Sequence, residues 1–106
     1  MSLQGQVAIV CGATGIVGGA IAQTLYMEGA TVVCPLRPGG SVELPAELAV
    51  AAAAGDGRLS APLFDYGSKA GAEALAAVVR AEHGAVDHVA SAIGGMVELG
   101  IGGLRA

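Results

Sequence analysis

Residues 7–18 read VAIVCGATGIVG. Val7 to Cys11 are apolar without interruption, the pattern of a strand covered by helices on both faces. Glycines follow at 12, 15 and 18. Val17, Ile21 and Leu25 then recur every four residues until Glu28 and Gly29, which gives an apolar stripe with a helix stop. Strand, glycine turn and helix in direct succession are the context that a dinucleotide fingerprint requires. Gly12 permits the sharp turn out of the strand, Gly15 lets backbone approach a phosphate with no Cβ in the way, and Gly18 lets helix and strand pack closely. The helix mouth adds unpaired N–H groups and roughly half a positive charge for a pyrophosphate. Gly12, Thr14, Gly15, Ile16, Val17 and Gly18 are therefore candidate cofactor-binding residues. A P-loop is excluded, because it needs Gly-Lys-Ser/Thr after the turn and the only lysine is Lys69.

Working outward, three further apolar runs read as strands: Thr31 to Cys34, Leu59 to Phe64 and Val86 to Ala90. Between them lie an Ala-rich helix from Glu43 to Ala54, closed by Gly55, Asp56 and Gly57, and a helix with Ser68 as N-cap and Gly84 as C-terminal stop. Apolar Ala74, Leu75, Val78 and Val79 line the latter. The order β-α-β-α-β-α-β with right-handed crossovers predicts an α/β, Rossmann-type, doubly wound parallel sheet in three α/β/α layers, with four strands in this chain. Residues 1–94 are expected to form the NAD(P)-binding domain. Residues 95–106 are expected to be a Gly-rich loop or tail, the start of a truncated or incomplete carboxyl-terminal half.

With 106 residues, one domain and one core are expected. Hydrophobic residues make up 54% of the chain and charged ones 13%, with no Trp and one Phe, so Ala, Val, Ile and Leu build the core. A domain of this size hides about two-thirds of its unfolded surface, and 13% charge is little to cover the rest. Apolar surface is therefore expected to meet a second copy in a homo-oligomer, or a missing carboxyl-terminal half. A net charge of -4 leaves no basic stripe, which argues against nucleic acid and anionic membranes as partners. No apolar run approaches the ~20 residues of a membrane span and no signal peptide opens the chain, so a cytoplasmic location is expected. Cys11 and Cys34 read as buried reduced thiols, too few for a metal site.

In dinucleotide folds an acid at the end of the second strand holds the ribose 2′-OH, whereas an Arg there accommodates a 2′-phosphate. No Asp or Glu lies between Glu28 and Glu43, and Arg37 sits where the acid would be. A guanidinium grips a phosphate with two charge-assisted hydrogen bonds. NADP is accordingly favoured over NAD.

With these residues in place, the chain resembles the short-chain dehydrogenase/reductase family from Gly5 to about Gly94. QGQVAIVCGATGIVGGAIA is similar to the family's opening strand, turn and helix, with a middle glycine, Gly15, spaced as in the extended and atypical branches. LFDYGS resembles the end of the third strand, which implies Asp65 near the adenine amino group and Tyr66 beside the adenine ring. GAVDHVASAIGG resembles the fourth strand and its Asn-Asn-Ala-Gly motif, with Ser91, Ala92, Ile93 and Gly94 in those places and both asparagines replaced. The resemblance implies hydride transfer between NADP(H) and a carbonyl or alcohol. The family's catalytic Ser and Tyr-x-x-x-Lys pair do not occur, so no catalytic residue is assigned. Tyr66-Gly-Ser-Lys69 is one residue too short for that pair and reads as a helix cap, with a solvated Lys69 pairing weakly with Glu73. His83 at a helix end and His88 within a strand read as structural, and no metal is expected.

Three readings remain: the nucleotide half of an NADP-dependent oxidoreductase, a non-catalytic NADP-binding sensor or regulatory protein, and a structural fragment whose fourth strand is a bare edge for self-association.

Overall fold

The computed structural model describes residues 2–40, 43–93 and 96–101. The elements run β1 (Val7–Cys11), α1 (Ile16–Met27), β2 (Thr31–Val33), α2 (Ala46–Ala53), β3 (Leu59–Ser60), α3 (Lys69–His83), β4 (His88–Ile93) and β5 (Met96–Ile101). They build one sheet of order β3-β2-β1-β4-β5. The first four strands are parallel to their neighbours and β5 is antiparallel to β4. The α/β architecture expected from the sequence is present, with helices on both faces.

The central position of β1 explains its unbroken apolar run. Val10 packs with Ala22, Val32, Cys34, Leu48 and Ala90 beneath α1 and α2. Val7, Ile9 and Cys11 pack with Val33, Leu75, Val79 and Val86 beneath α3. Successive strand residues point to opposite faces, so a strand with two covered faces has no position left for a polar side chain. The strand is anchored by Asp87, a buried acid. Its Oδ2 accepts from the Val7 amide at 2.8 Å, and its own amide donates to the Val7 carbonyl at 2.7 Å.

Several boundaries differ from expectation. The second helix begins at Ala46, because Pro45 takes the N-cap place and a residue before proline, here Leu44, avoids the helical region. The third strand is cut to Leu59–Ser60. Pro62 and, across from it, Pro35 lack donors, yet pairing persists in the Leu36–Leu63 bridge, where Phe64 donates to the Leu36 carbonyl at 2.9 Å. On α3, Leu75 and Val79 are core residues, whereas Ala74 and Val78 are exposed.

The segment from Met96, expected as loop, instead forms β5. Its pairing sets Ile93 opposite Met96 and His88 opposite Ile101. Val97, Leu99 and Ile101 alternate with period two, a strand signal that the neighbouring glycines outweighed. The fourth strand is consequently not a bare edge, because β5 covers it.

Candidate nucleotide-binding cleft

From β1 the chain winds through β2 to β3 on one side, then places β4 on the other. Loops at the carboxyl ends of β1 and β4 therefore diverge, which is where open α/β sheets take ligands. A cleft of about 440 Å³ opens there, walled by Gly12 to Gly15, by Pro35 to Gly40, and by Tyr66 and Ala92. It brings together Gly12, Thr14, Gly15, Arg37, Tyr66 and Ala92 from the candidate set.

The three glycines of the turn differ in what requires them. Gly12 has φ +86°, and a Cβ there would lie 2.2 Å from the Ala92 carbonyl oxygen. Gly18 has no room because a Cβ would lie 2.1 Å from the Gly12 oxygen. Both are demanded by the close approach of α1 and β4 to the turn. Gly15 is not. Its φ of -89° and ψ of 172° suit any residue, and the nearest described atom to a Cβ is the Gly12 oxygen, in ordinary contact at 3.5 Å. A side chain at 15 meets no described part of the chain more closely, and Gly15 lines the cleft.

Gly15 is also the N-cap of α1, with no side-chain cap, and the first turn carries no acid. The positive end of the helix dipole is thus not neutralised by the helix's own side chains. Arg37 stands on the opposite wall. The Gly40 amide donates to its carbonyl at 3.0 Å, closing a turn whose central residues are Pro38 and Gly39, the latter at φ +81° as a type II turn requires. Among the described residues the ion pairs are Arg58–Asp56 and His83–Glu82. Arg37, exposed on the cleft, has no carboxylate partner there, and Lys69 does not pair with Glu73. Pro35, Leu36, Pro38, Gly39 and Gly40 were not among the sequence candidates. The Pro-Gly-Gly run after Arg37 was the available signal.

Tyr66 closes the inner wall, half-buried against the cluster beneath α3. Burial raises its phenol above the ordinary value of 10.0, with the nearby Cys11 thiol adding to the rise, while Arg37 and a hydrogen bond with the Gly12 backbone pull it back. Cys11 and Cys34 are free thiols, pushed up by burial to about 11 and about 12, so both stay protonated at neutral pH.

The other candidates sit elsewhere. Ile16 and Val17 lie on the solvent side of the helix mouth, 93% and 52% exposed. Val17 therefore leaves the expected apolar stripe, because Gly18, Gly19 and Ala22 form the buried face of α1. Gly18 is buried and serves packing. Asp65 does not line the cleft, and its Oδ1 accepts from the Gly67 amide at 3.1 Å, shaping the turn into α3. Ser91 lies in β4, paired with Cys11 and Glu98. Ile93 ends β4, and Gly94 lies outside the described residues. His88 bonds to the Gln6 side chain. Among the described residues no group of three His, Cys, Asp or Glu converges as a metal site would need, and no helix is long and apolar enough to cross a membrane.

A strand, a glycine turn and a helix mouth opening on one cleft define a Rossmann-like α/β fold. Among solved structures, the chain is 38% identical to one described as a short-chain dehydrogenase/reductase from Burkholderia xenovorans, with a TM-score of 0.66 over 82% of this chain and 35% of that one. It is 30% identical to a short-chain dehydrogenase from Streptomyces avermitilis, with a TM-score of 0.63 over 84% of this chain and 30% of that one. The chain thus spans about a third of the length of these structures, at their amino-terminal part. In fold and sequence it is similar to the amino-terminal part of the short-chain dehydrogenase/reductase family, the resemblance its motifs carry. No family model matches the chain, and no curated protein does.

Proposed function

We propose that residues 1–94 form a dinucleotide-binding unit whose cofactor is NADP, serving an oxidoreductase of the short-chain dehydrogenase/reductase type. The pyrophosphate lies across Gly12, Thr14 and Gly15 and takes amide hydrogens at the mouth of α1, with Ile16 and Val17 flanking it. Arg37 grips the 2′-phosphate with its planar fork. The ring of Tyr66 serves the adenine, with Asp65 in the turn beside it, and the backbone of Ser91 to Ile93 borders the remaining ribose. When bound, the cofactor supplies or accepts a hydride. This chain's residues hold and orient it. The free thiols of Cys11 and Cys34 suit a reducing compartment, the cytoplasm.

The observation that carries this reading is Gly15, a glycine that no described neighbour demands, at an uncapped helix mouth on the cleft shared with Arg37. Calorimetric titration of the full chain with NADPH and NADH tests it, and tighter binding of NADPH is expected. Replacing Arg37 by Glu is expected to weaken NADPH by about 1.5–3 kcal/mol, the worth of a hydrogen bond to a charged group, and to leave NADH bound no more weakly, since an acid there suits a ribose 2′-OH. No heat with either cofactor at millimolar concentration would withdraw the proposal.

The spacing of the middle glycine, Gly15, and the replacement of both asparagines of the family's fourth-strand motif by Ser91 and Ala92 favour a second reading, an NADP-binding sensor without turnover. Carbonyl-dependent oxidation of NADPH separates the two.

A further inference from the structure

The ring of Tyr66 has a place in the reading above, but its hydroxyl does not. The side chain is half-buried and packed against the cluster beneath α3, so little rotamer freedom remains to be lost when the hydroxyl engages a ligand. It lines the same cleft as Arg37 and Gly12. The Arg37 charge and the Gly12 backbone both act on its phenol. None of the described residues lining this cleft is acidic. One guanidinium, one backbone turn and one phenol therefore line one cleft that holds no carboxylate among its described lining residues, an arrangement suited to an anion. A phosphomonoester offers three acceptor oxygens, two for the fork of Arg37 and a third for an O–H donor. Because burial holds the phenol above its ordinary range, it keeps its proton at neutral pH and can donate.

We propose that the Tyr66 hydroxyl donates a hydrogen bond to the phosphomonoester on the adenosine ribose, so that Tyr66 sets the preference for the phosphorylated cofactor together with Arg37. This inference rests on the dinucleotide reading. Its test uses two half-cofactors as probes, adenosine 2′,5′-bisphosphate and ADP, titrated into the full chain and into Tyr66→Phe, Tyr66→Leu and Arg37→Gln variants.

Tyr66→Phe keeps the ring and loses only the hydroxyl. It is expected to weaken the bisphosphate about tenfold, the low end for a hydrogen bond to a charged group, and to leave ADP within about twofold. Tyr66→Leu should weaken both probes, because the ring is lost as well. An independent readout needs no variant: in an alkaline titration, bisphosphate but not ADP should delay ionisation of one of the two tyrosines, since a nearby dianion disfavours a phenolate. If Tyr66→Phe binds both probes like the wild type while Arg37→Gln loses the bisphosphate, the hydroxyl has no such role and the dinucleotide reading stands. Equal weakening of both probes by Tyr66→Phe likewise overturns the inference. A wild-type chain that binds neither probe overturns the dinucleotide reading, and this inference with it.

Discussion

Gly15 and Gly18 sit in one turn, yet substitution should separate them cleanly. An alanine methyl at 18 would lie 2.1 Å from the Gly12 oxygen, so Gly18→Ala is expected to cost about 1–3 kcal/mol or more through overpacking against backbone. At 15 two small terms offset each other. Alanine is a poorer N-cap than glycine, but it restricts the unfolded chain by about 0.4–1 kcal/mol. Gly15→Ala should therefore unfold in urea at nearly the wild-type midpoint while binding NADPH at least about tenfold more weakly, a loss of about 1.4 kcal/mol. Unchanged affinity in a stably folded Gly15→Ala chain would remove the phosphate from that position. The two glycines look alike as letters, because what distinguishes them is the distance to atoms several residues away.

Helices α1 and α3 are secured at their ends by different means. In α3 the Ser68 Oγ accepts from the Gly71 amide at 3.0 Å, and Gly84 closes the helix at φ +85°. Both caps are legible from residue type alone, since they depend only on neighbours within one turn. Ser68→Ala should lower the urea midpoint by an amount equivalent to about 1 kcal/mol with the slope unchanged, and Ser68→Asp should restore it. The end of α1 is tied instead by the loop before β3. Arg58 donates to the Tyr26 and Ala30 carbonyls at 3.2 and 3.3 Å and stacks over the Tyr26 ring at 4.3 Å. The Tyr26 hydroxyl donates to Asp56 at 3.1 Å. The Arg58 backbone amide, chiefly, with the Tyr26 hydroxyl and the Arg58 charge, holds the Asp56 carboxyl below its ordinary 3.8. A depressed folded value means that the contribution is present above the ordinary carboxylate value and is lost as pH falls through the lowered one. The stability gap between wild type and Asp56→Asn should therefore be widest near neutrality and close in acid. A gap that is flat with pH would show that the carboxyl charge takes no part. No local pattern announces this tie, because Tyr26 and Asp56 are brought together only by the parallel crossover.

Across the sheet, Asp87 joins the entry of β4 to the start of β1. Asp87→Ala leaves the Val7 amide without that acceptor in a buried place, and a loss of about 1–3 kcal/mol is expected in equilibrium unfolding. The two-faced burial of β1 and the glycine turn were readable in VAIVCGATGIVG, because a covered parallel strand and a tight turn into a helix both impose residue types on consecutive positions. Arg37 was readable too, as a missing acid at the end of β2. The antiparallel return of β5 was present only as a weak alternation. What the sequence by itself determined is the strand-turn-helix unit and the caps of α3, where each residue's neighbours in the chain are also its neighbours in space. Tertiary structure alone decided which glycine is structural and which is bare, and that Tyr66 lines one cleft with Arg37 and Gly12. Those facts depend on backbones and side chains far apart in the chain, whose separation is set only when the layers pack.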